Sequence, residues 1–332
     1  MSISKNPTVS VIMSVYKEPI EWLKASIESI LNQTFKDFEF IIVLDEPNNH
    51  EAEKIILEYA SKDPRIIFIK NNANIGLTES LNKALKIARG KYIARMDADD
   101  IALEHRLENQ VNFLEKNPDI YLVGSAVYKM DEDGNIFGEM HPPYLNNFKD
   151  LEKIMICGRT IAFHPTWLFR RELIEKVGVY RLLLAQDFDF LLRVLDAGFK
   201  ISNINEPLLK YRIGKLNISS RKAFEQYKSA LYAIKLHKQR RLYGSDYYDE
   251  KEYLNYIKGS KVSKIFYNLS TRFFMKANNY KSQKKYILFI LNLLVSLLIS
   301  PLQAKRFFHL LYGKFILLKN SRQYNSINPC AE

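Results

Sequence analysis

Cysteine is almost absent: Cys157 and Cys330 are the only two in 332 residues, far apart and without metal-ligand spacing. A disulfide framework and a cysteine zinc site are thereby excluded, and a reducing compartment fits. Glycine-rich phosphate loops are missing as well. The twelve glycines contain no Gly-x-Gly pair and no Gly-Lys-Ser/Thr, which removes the dinucleotide fingerprint and the P-loop. If this chain binds a nucleotide, a cation held by carboxylates has to handle the phosphates. A bilayer span takes ~20 apolar residues, and residues 286–300 supply only about fifteen. The first apolar run, Val9 to Val15, is too short for a signal peptide, so the early chain is expected to stay where it is made.

Most of the chain also lacks a charge excess of either sign. The net charge is +12, from 49 Lys+Arg and 37 Asp+Glu. Residues 251–332 hold 14 of the basic residues and two of the acidic ones, which leaves 35 of each sign in the first 250. A neutral domain with a cationic appendage is implied, and the appendage is suited to an anionic surface.

What is present begins with strand and helix patterns in alternation. Val9–Val15 and Phe38–Leu44 read as strands, Ile20–Leu31 as a helix with apolar residues at helical spacing. A helix around Ile55–Ala60, a strand at Arg65–Ile69 and a helix from Leu77, stopped by Gly90, follow. Three strand–helix units in succession predict a parallel sheet with right-handed crossovers. Beyond residue 100 the pattern predicts a helix over Leu103–Leu114, a strand over Ile120–Val127 and a hairpin turn at Asp133-Gly134. Asp150–Phe169 reads as irregular, Gln186–Ala197 as a helix, and Phe199–Ile204 and Leu208–Arg212 as two short strands.

The fourth strand, Tyr92 to Met96, runs straight into Asp97-Ala98-Asp99-Asp100. Ligands gather at the carboxyl ends of parallel strands. Asp97 and Asp99 are two apart and would point the same way if the strand continued. Converging carboxylates repel unless a cation lies between them, and hard oxygen ligands suit Mg²⁺ or Mn²⁺. The competing reading is an acidic turn in which Asp99 or Asp100 caps the helix that follows.

Five segments resemble family 2 glycosyltransferases in order and spacing. They are Val9–Val15 with Tyr16, Ser26–Thr34, Phe40–Val43 with Asp45, Asn74–Leu77, and Gly90–Asp99. The resemblance runs from about residue 8 to about residue 221 and leaves out the tail. It implies a GT-A fold, an α/β architecture with a mostly parallel sheet flanked by helices, here with a basic helical C-terminal appendage. It also implies sugar transfer from a nucleotide donor with inversion. Carried across residue by residue, Asp45 matches the carboxylate that reads the base, and Val15, Tyr16 and Glu18 match the turn around base and ribose. Asn74 and Ala98 fall in the matching donor-binding segments, Asp97 matches the contact to ribose or a metal water, and Asp99 matches the metal ligand. Asp187 in Gln186-Asp187-Phe188-Asp189 matches the general base; a helix start there would favour its ionised form through the dipole. The alternative is that Asp187 only caps that helix. Gln186, Lys17, Leu44, Glu46-Pro47 and Gly214 depart from the family pattern, which bears on donor identity more than on reaction type.

His164 sits in a segment like the family's acceptor side and is assigned no chemical role. Arg170, Arg171, Arg181 and Arg193 are expected to be paired rather than bound to acceptor. The expected organisation is a catalytic domain over residues 1–218 and a helical, basic region over 219–332. Residues 286–300, flanked by Lys281, Lys284, Lys285, Lys305 and Arg306, are expected to lie at an anionic membrane surface. A small soluble helical domain is the other reading of the tail. The expected activity is transfer from a UDP-sugar, hexosyl or N-acetylhexosaminyl, to a glycan or lipid-linked acceptor in surface polysaccharide, capsule or lipopolysaccharide assembly. The enzyme would be peripheral at the inner face of the membrane, with Mn²⁺ or Mg²⁺ as cofactor and no nucleic-acid partner. A nucleotidyltransferase, or a catalytically silent assembly subunit, are the alternatives.

Overall fold

The computed structural model describes residues 6–143, 148–181, 184–214 and 222–327. The expected boundary at 218/219 and Cys330 lie outside the described residues. The chain divides into two units, Met1–Asn146 with Ile161–Asn217, and Asn147–Thr160 with Ile218–Glu332.

The first unit opens with β1 (Val9–Val15), α1 (Ile20–Leu31), β2 (Phe38–Leu44), α2 (His50–Lys62), β3 (Ile66–Lys70), α3 (Leu77–Ile87) and β4 (Tyr92–Asp97). Every residue of β2 is buried, and so is all of β1 except Ser14. Strands apolar on both faces need cover on both faces, and that is what strand–helix alternation provides. The ladder runs parallel through β3-β2-β1-β4.

After β4 come β5 (Ile101–Ala102), α4 (Arg106–Lys116), β6 (Ile120–Met130) and β7 (Ile136–Met140). The expected hairpin turn joins β6 to β7, with Gly134 at φ +92° and Asp131 Oδ1 accepting from the backbone N–H of Asp133 and Asn135. The stretch expected to be irregular carries a helix, α5 (Phe148–Ile156), then a 3₁₀ turn at His164–Thr166 and β8 (Leu168–Arg170). Two short helices, α6 (Glu172–Val177) and α7 (Gln186–Asp196), precede β9 (Lys200–Arg212). The two strands expected in 199–212 are this one strand. Its ladder to β6 slips where Ser125 faces Ile204 but Ala126 faces Pro207, so the proline, which has no N–H to give, falls at an irregularity that tolerates it. Among the described residues the strand order is β3-β2-β1-β4-β8-β6-β9-β5, with β7 on β6. Beyond β4 the sheet is mixed: β8 is antiparallel to β4 and β6, while β9 is parallel to β6.

The second unit holds α5 with α8 (Ala223–Tyr243), α9 (Glu250–Lys258), α10 (Lys261–Ser282), α11 (Tyr286–Ile299) and α12 (Pro301–Ile327). Gly244, left-handed at φ +76°, ends α8. Phe224, Tyr227 and Tyr267 form a small buried aromatic cluster with Leu231 and Leu302 against it.

One close approach ties the start of β4 to its neighbours. Gly90 N donates to Ser10 Oγ at 2.8 Å, Ser10 Oγ donates to Glu39 at 2.6 Å, and Arg89 pairs with Glu39. A Cβ on Gly90 would lie 2.5 Å from Ser10 N and 2.7 Å from Val9 C, both backbone atoms that cannot swing aside. Gly90→Ala is therefore expected to destabilise the fold by ~1–3 kcal/mol, the usual cost of overpacking. Urea unfolding measures it, and an unchanged midpoint would mean that β1 and β4 are less tightly pinned than their contacts imply.

Candidate active site

The carboxyl end of β4 delivers the acidic cluster. One carboxylate oxygen from each of Asp97, Asp99 and Asp100 lies within 4.8 Å of the others. Arg95, 2 % exposed, is two residues before Asp97 on the same face of the strand and pairs with it. The competing helix-cap reading fails, because β5 intervenes and the helix after it starts at Arg106 with His105 as its cap residue. The expected start at Leu103 was early for the same reason: Ile101 and Ala102 pair with β9, and Leu103 N donates to Leu208 O at 3.0 Å.

Arg212 fixes the turn. Its backbone N–H donates to Asp100 Oδ1 at 2.8 Å, its Nε donates to Asp99 O at 2.8 Å, and its Nη1 reaches the carbonyls of Asp131 and Glu132. The guanidinium lies 4.3 Å from the centre of the Trp22 ring. Asp100 is fully buried, and its Oδ2 has no hydrogen-bond partner. Burial, then the charges of Asp99 and Asp97, push its carboxyl well above the ordinary range. Asp99 is pushed up to about 7 by burial, then by Asp97 and Glu18, with Arg95 opposing. A buried orphan oxygen beside two crowded carboxylates fits a hard divalent cation with oxygen ligands. Asp97, Asp99 and Asp100 are the residues present to hold one.

The residues expected around the nucleoside gather on the turns after β1 and β2. Val15 is buried, so its side chain is core, and its carbonyl accepts from Asp45 N at 2.7 Å. Tyr16 is exposed; its N–H donates to Glu18 Oε2 at 2.7 Å and its carbonyl accepts from Asn49 Nδ2 at 3.1 Å. Burial raises the Glu18 carboxyl, with Asp97 adding to it. Asp45 is 2 % exposed and grips the loop before α3: Oδ1 accepts from Asn71 Nδ2 and Ile75 N, and Oδ2 accepts from Gly76 N, all within 2.8–2.9 Å. Its geometry thus shapes the loop that carries Asn74, which is exposed. Ala98 is buried inside the acidic turn.

Asp187 is the second residue of α7, and Ala185 rather than Asp187 occupies the cap position. The dipole was expected to favour the charged form. Burial outweighs it and raises the carboxyl, with a backbone N–H and Arg95 opposing and Asp97 adding. Asp189 is occupied instead by Arg193 at 2.9 Å and Arg181 at 3.1 Å. The remaining arginines are also tied internally: Arg170 to the carbonyls of Ile120 and Leu114, Arg171 to Gly90 O. His164 is buried, hydrogen-bonded to Tyr180 Oη at 2.9 Å, and held well below its ordinary pKa by burial and by Arg95.

The residues without an expected role are Arg95 and, as a ligand, Asp100. A lone arginine in an otherwise apolar strand was the available signal for the first. Nothing marked the second beyond its place after Asp99.

The raised Asp99 carboxyl has a checkable consequence. A carboxyl whose pKa rises on folding stabilises the fold while protonated, and that contribution is lost as pH rises from about 4 through about 7. A divalent cation competes with the proton, so Mn²⁺ should raise the melting temperature more at pH 8 than at pH 5.5. In Asp99→Asn the difference between the two pH values should shrink. Equal Mn²⁺ effects at both pH values in the unsubstituted protein would exclude this cluster as the site.

Residues 10–178 match the family described as Glycosyl transferase family 2. An uncharacterized glycosyltransferase of Methanocaldococcus jannaschii is 47% identical over 232 residues, 70% of this chain and 79% of that protein. The Escherichia coli UDP-Glc:alpha-D-GlcNAc-diphosphoundecaprenol beta-1,3-glucosyltransferase WfaP is 31% identical over 219 residues, 64% of this chain and 80% of its own length. Among solved structures, S. aureus TarS in complex with UDP-GlcNAc superposes with a TM-score of 0.58 at 16% identity, covering 95% of this chain and 89% of that one. That likeness speaks for the fold, a GT-A architecture with a helical C-terminal region. With its family match over half of its length and a relative this similar, the chain belongs to glycosyl transferase family 2.

Proposed function

We propose that the protein moves a sugar from a nucleotide donor to a hydroxyl of a glycan or lipid-linked saccharide, with inversion at the anomeric carbon. The observation that carries this reading is the convergence of Asp97, Asp99 and Asp100 at the end of β4 in a chain of this family. The donor is UDP-linked and hexosyl or N-acetylhexosaminyl. UDP-Glc in the name of the E. coli relative and UDP-GlcNAc in the TarS complex support that choice. The diphosphoundecaprenol acceptor named for the relative supports surface polysaccharide, capsule or lipopolysaccharide assembly as the setting. The protein works in the cytoplasm, peripherally attached to the anionic inner face of the membrane. The basic excess of residues 251–332 supports this. Among the described residues no helix is long and apolar enough to cross a membrane.

In this reading Val15, Tyr16 and Glu18 shape the nucleoside pocket, and Asp45 holds the loop bearing Asn74 against it. Asp97 and Ala98 lie beside the ribose; Asp99, with Asp100, holds Mn²⁺ or Mg²⁺. The bound ion supplies charge neutralisation for the departing nucleotide diphosphate. Asp187 takes the proton of the acceptor hydroxyl as its oxygen attacks the anomeric carbon and the bond to the diphosphate oxygen breaks. Burial makes Asp187 a stronger base than a free aspartate, with a backbone N–H and Arg95 opposing the shift. Asp189 is spoken for by two arginines, which favours Asp187 for the role.

A panel of nucleotide sugars, followed by nucleotide release with and without Mn²⁺, tests the reading. UDP-sugars should turn over only with the metal, and calorimetry should find UDP binding weakened strongly by EDTA. Asp187→Asn should keep UDP affinity while turnover falls ~10²–10⁴-fold, the usual contribution of a general base. Near-normal turnover in that variant would move the base elsewhere; no binding of any nucleotide sugar, with or without metal, would overturn the function itself.

A further inference from the structure

The second unit contains a helical hairpin packed the wrong way round for water. The one fully buried residue of α11 is Ser296, and those of α10 are Tyr267, Ser270 and Ala277. Ser270 Oγ donates to Ser296 O at 2.7 Å, and Ser296 Oγ donates to Ser270 O at 2.9 Å, a reciprocal pair across the two helices. Many of the large apolar side chains face outward instead, while Tyr267 is buried and Phe273, Phe274, Leu293 and Leu297 are half-buried. Ile287, Leu291, Leu294 and Leu298 lie on one helical stripe of α11 and are 77%, 53%, 51% and 83% exposed. Val262, Ile265, Phe266 and Leu269 are exposed on α10. Small hydrogen-bonding residues inside and large aliphatic ones outside is how helices associate in lipid, where nothing apolar is gained by turning leucine inward.

Length and charge then decide the orientation. A helix of 14 residues extends ~21 Å at 1.5 Å per residue, short of the ~30 Å hydrocarbon core. Exposed lysines stand at both ends of the hairpin: Lys261 and Lys264 at the start of α10, Lys281, Lys284 and Lys285 at the turn between the helices. A hairpin charged at both ends cannot plunge tip first. It can lie flat, with its apolar face among the acyl chains and its lysines at the headgroups.

We infer that the α10–α11 hairpin inserts in the plane of one leaflet of an anionic bilayer, held by its apolar face and oriented by its lysines. This rests on the membrane placement proposed above and deepens it: charge alone would leave the protein on the surface, whereas this geometry embeds it. The occupant of the exposed face is lipid, and the excess of 14 basic over two acidic residues in 251–332 is what selects an anionic one.

The test uses the full chain with vesicles of phosphatidylcholine alone or mixed with phosphatidylglycerol. A fluorophore is attached at Leu294→Cys in a background in which Cys157 and Cys330 are serine, and quenching by lipids brominated along the acyl chain is read. Insertion requires strong quenching from bromines near the headgroup end of the chain, and vesicle binding that a high-salt wash reduces without abolishing. Replacing Ile287, Leu291, Leu294 and Leu298 together by Glu should lower partitioning at least about tenfold; Lys281, Lys284 and Lys285 to Gln should weaken the preference for phosphatidylglycerol and leave quenching in place. If salt releases all of the protein and no quenching is seen, insertion is wrong while surface attachment stands. No binding to either vesicle overturns the membrane placement as well. Self-association that the four glutamates dissolve would assign the face to a second copy of the chain and overturn the inference. If the glutamate variant does not fold, the quenching of the labelled protein alone decides.

Discussion

Mutual repulsion among the carboxylates at the end of β4 is the constraint on which the rest of the site depends. Two unit charges 4 Å apart interact by ~4 kcal/mol at an effective dielectric of ~20. Asp97, Asp99 and Asp100 offer oxygens within 4.8 Å of one another, and Glu18 and Asp187 add their charge to the same region. Arg95 pairs with Asp97, and the buried Arg212 guanidinium lies beside Asp99 and Asp100. Burial first, and then the repulsion among the carboxylates, pushes Asp99 up to about 7 and holds the Asp100 carboxyl well above the ordinary range. Arg106 sits beneath, but it donates to Arg95 O and Gln110 rather than to a carboxylate, and burial holds it down to about 9. Three carboxylates this close form a group suited to a divalent cation.

Such crowding survives only because the backbone is held from several directions. Ser26 of α1 donates to Asp97 O, and Gln33 just beyond that helix donates to Leu103 O while accepting from Leu107 N. From the far side of the sheet Arg212 grips the carbonyl of Asp99 and the carboxylate of Asp100. These are bonds between residues about 70 and 110 positions apart in sequence, and each fixes the turn before any ligand arrives. Preorganisation of this kind removes the reordering that a metal or diphosphate would otherwise have to impose. Asp45 does the same for the loop at Asn71–Gly76, satisfying three donors with one carboxylate.

The first strands were legible because their pattern is local: five to seven mostly apolar residues, a turn, then helical spacing. The second half was less so, for reasons that lie in partners far along the chain. Ile101-Ala102 is too short to announce a strand and becomes one only because Leu209 and Lys210 lie opposite. Phe199–Ile204 and Leu208–Arg212 read as two strands, and only the slipped ladder to β6 shows how one strand passes through Pro207. Helix α5 was missed because it belongs to a different unit from the sheet residues on either side of it. In the site, the identities of the acidic residues were readable, but their charge state was not. The dipole argument for Asp187 is local; burial, which no spacing reveals, raises its carboxyl instead.

The same twenty side chains are used by opposite rules in the two units. In the sheet unit Ile, Val, Leu and Phe fill the interior and serine is buried only where a partner waits, as Ser10 and Ser26 are. Where α10 and α11 meet, Ser270 and Ser296 are inside, while Leu269, Leu291, Leu294 and Leu298 are outside. Leaving a large apolar side chain fully in water forgoes ~1.5–3 kcal/mol, and α11 alone exposes eight of them to differing degrees, from Tyr286 to Leu298, too many to be incidental. The pattern makes sense once the two units answer to different solvents. If the acceptor is lipid-linked, as proposed, it is confined to the same interface, and an enzyme held there meets it at the raised effective concentration that confinement brings. On the proposed membrane placement, the exposed apolar face of the second unit is what would bring the active site to its substrate.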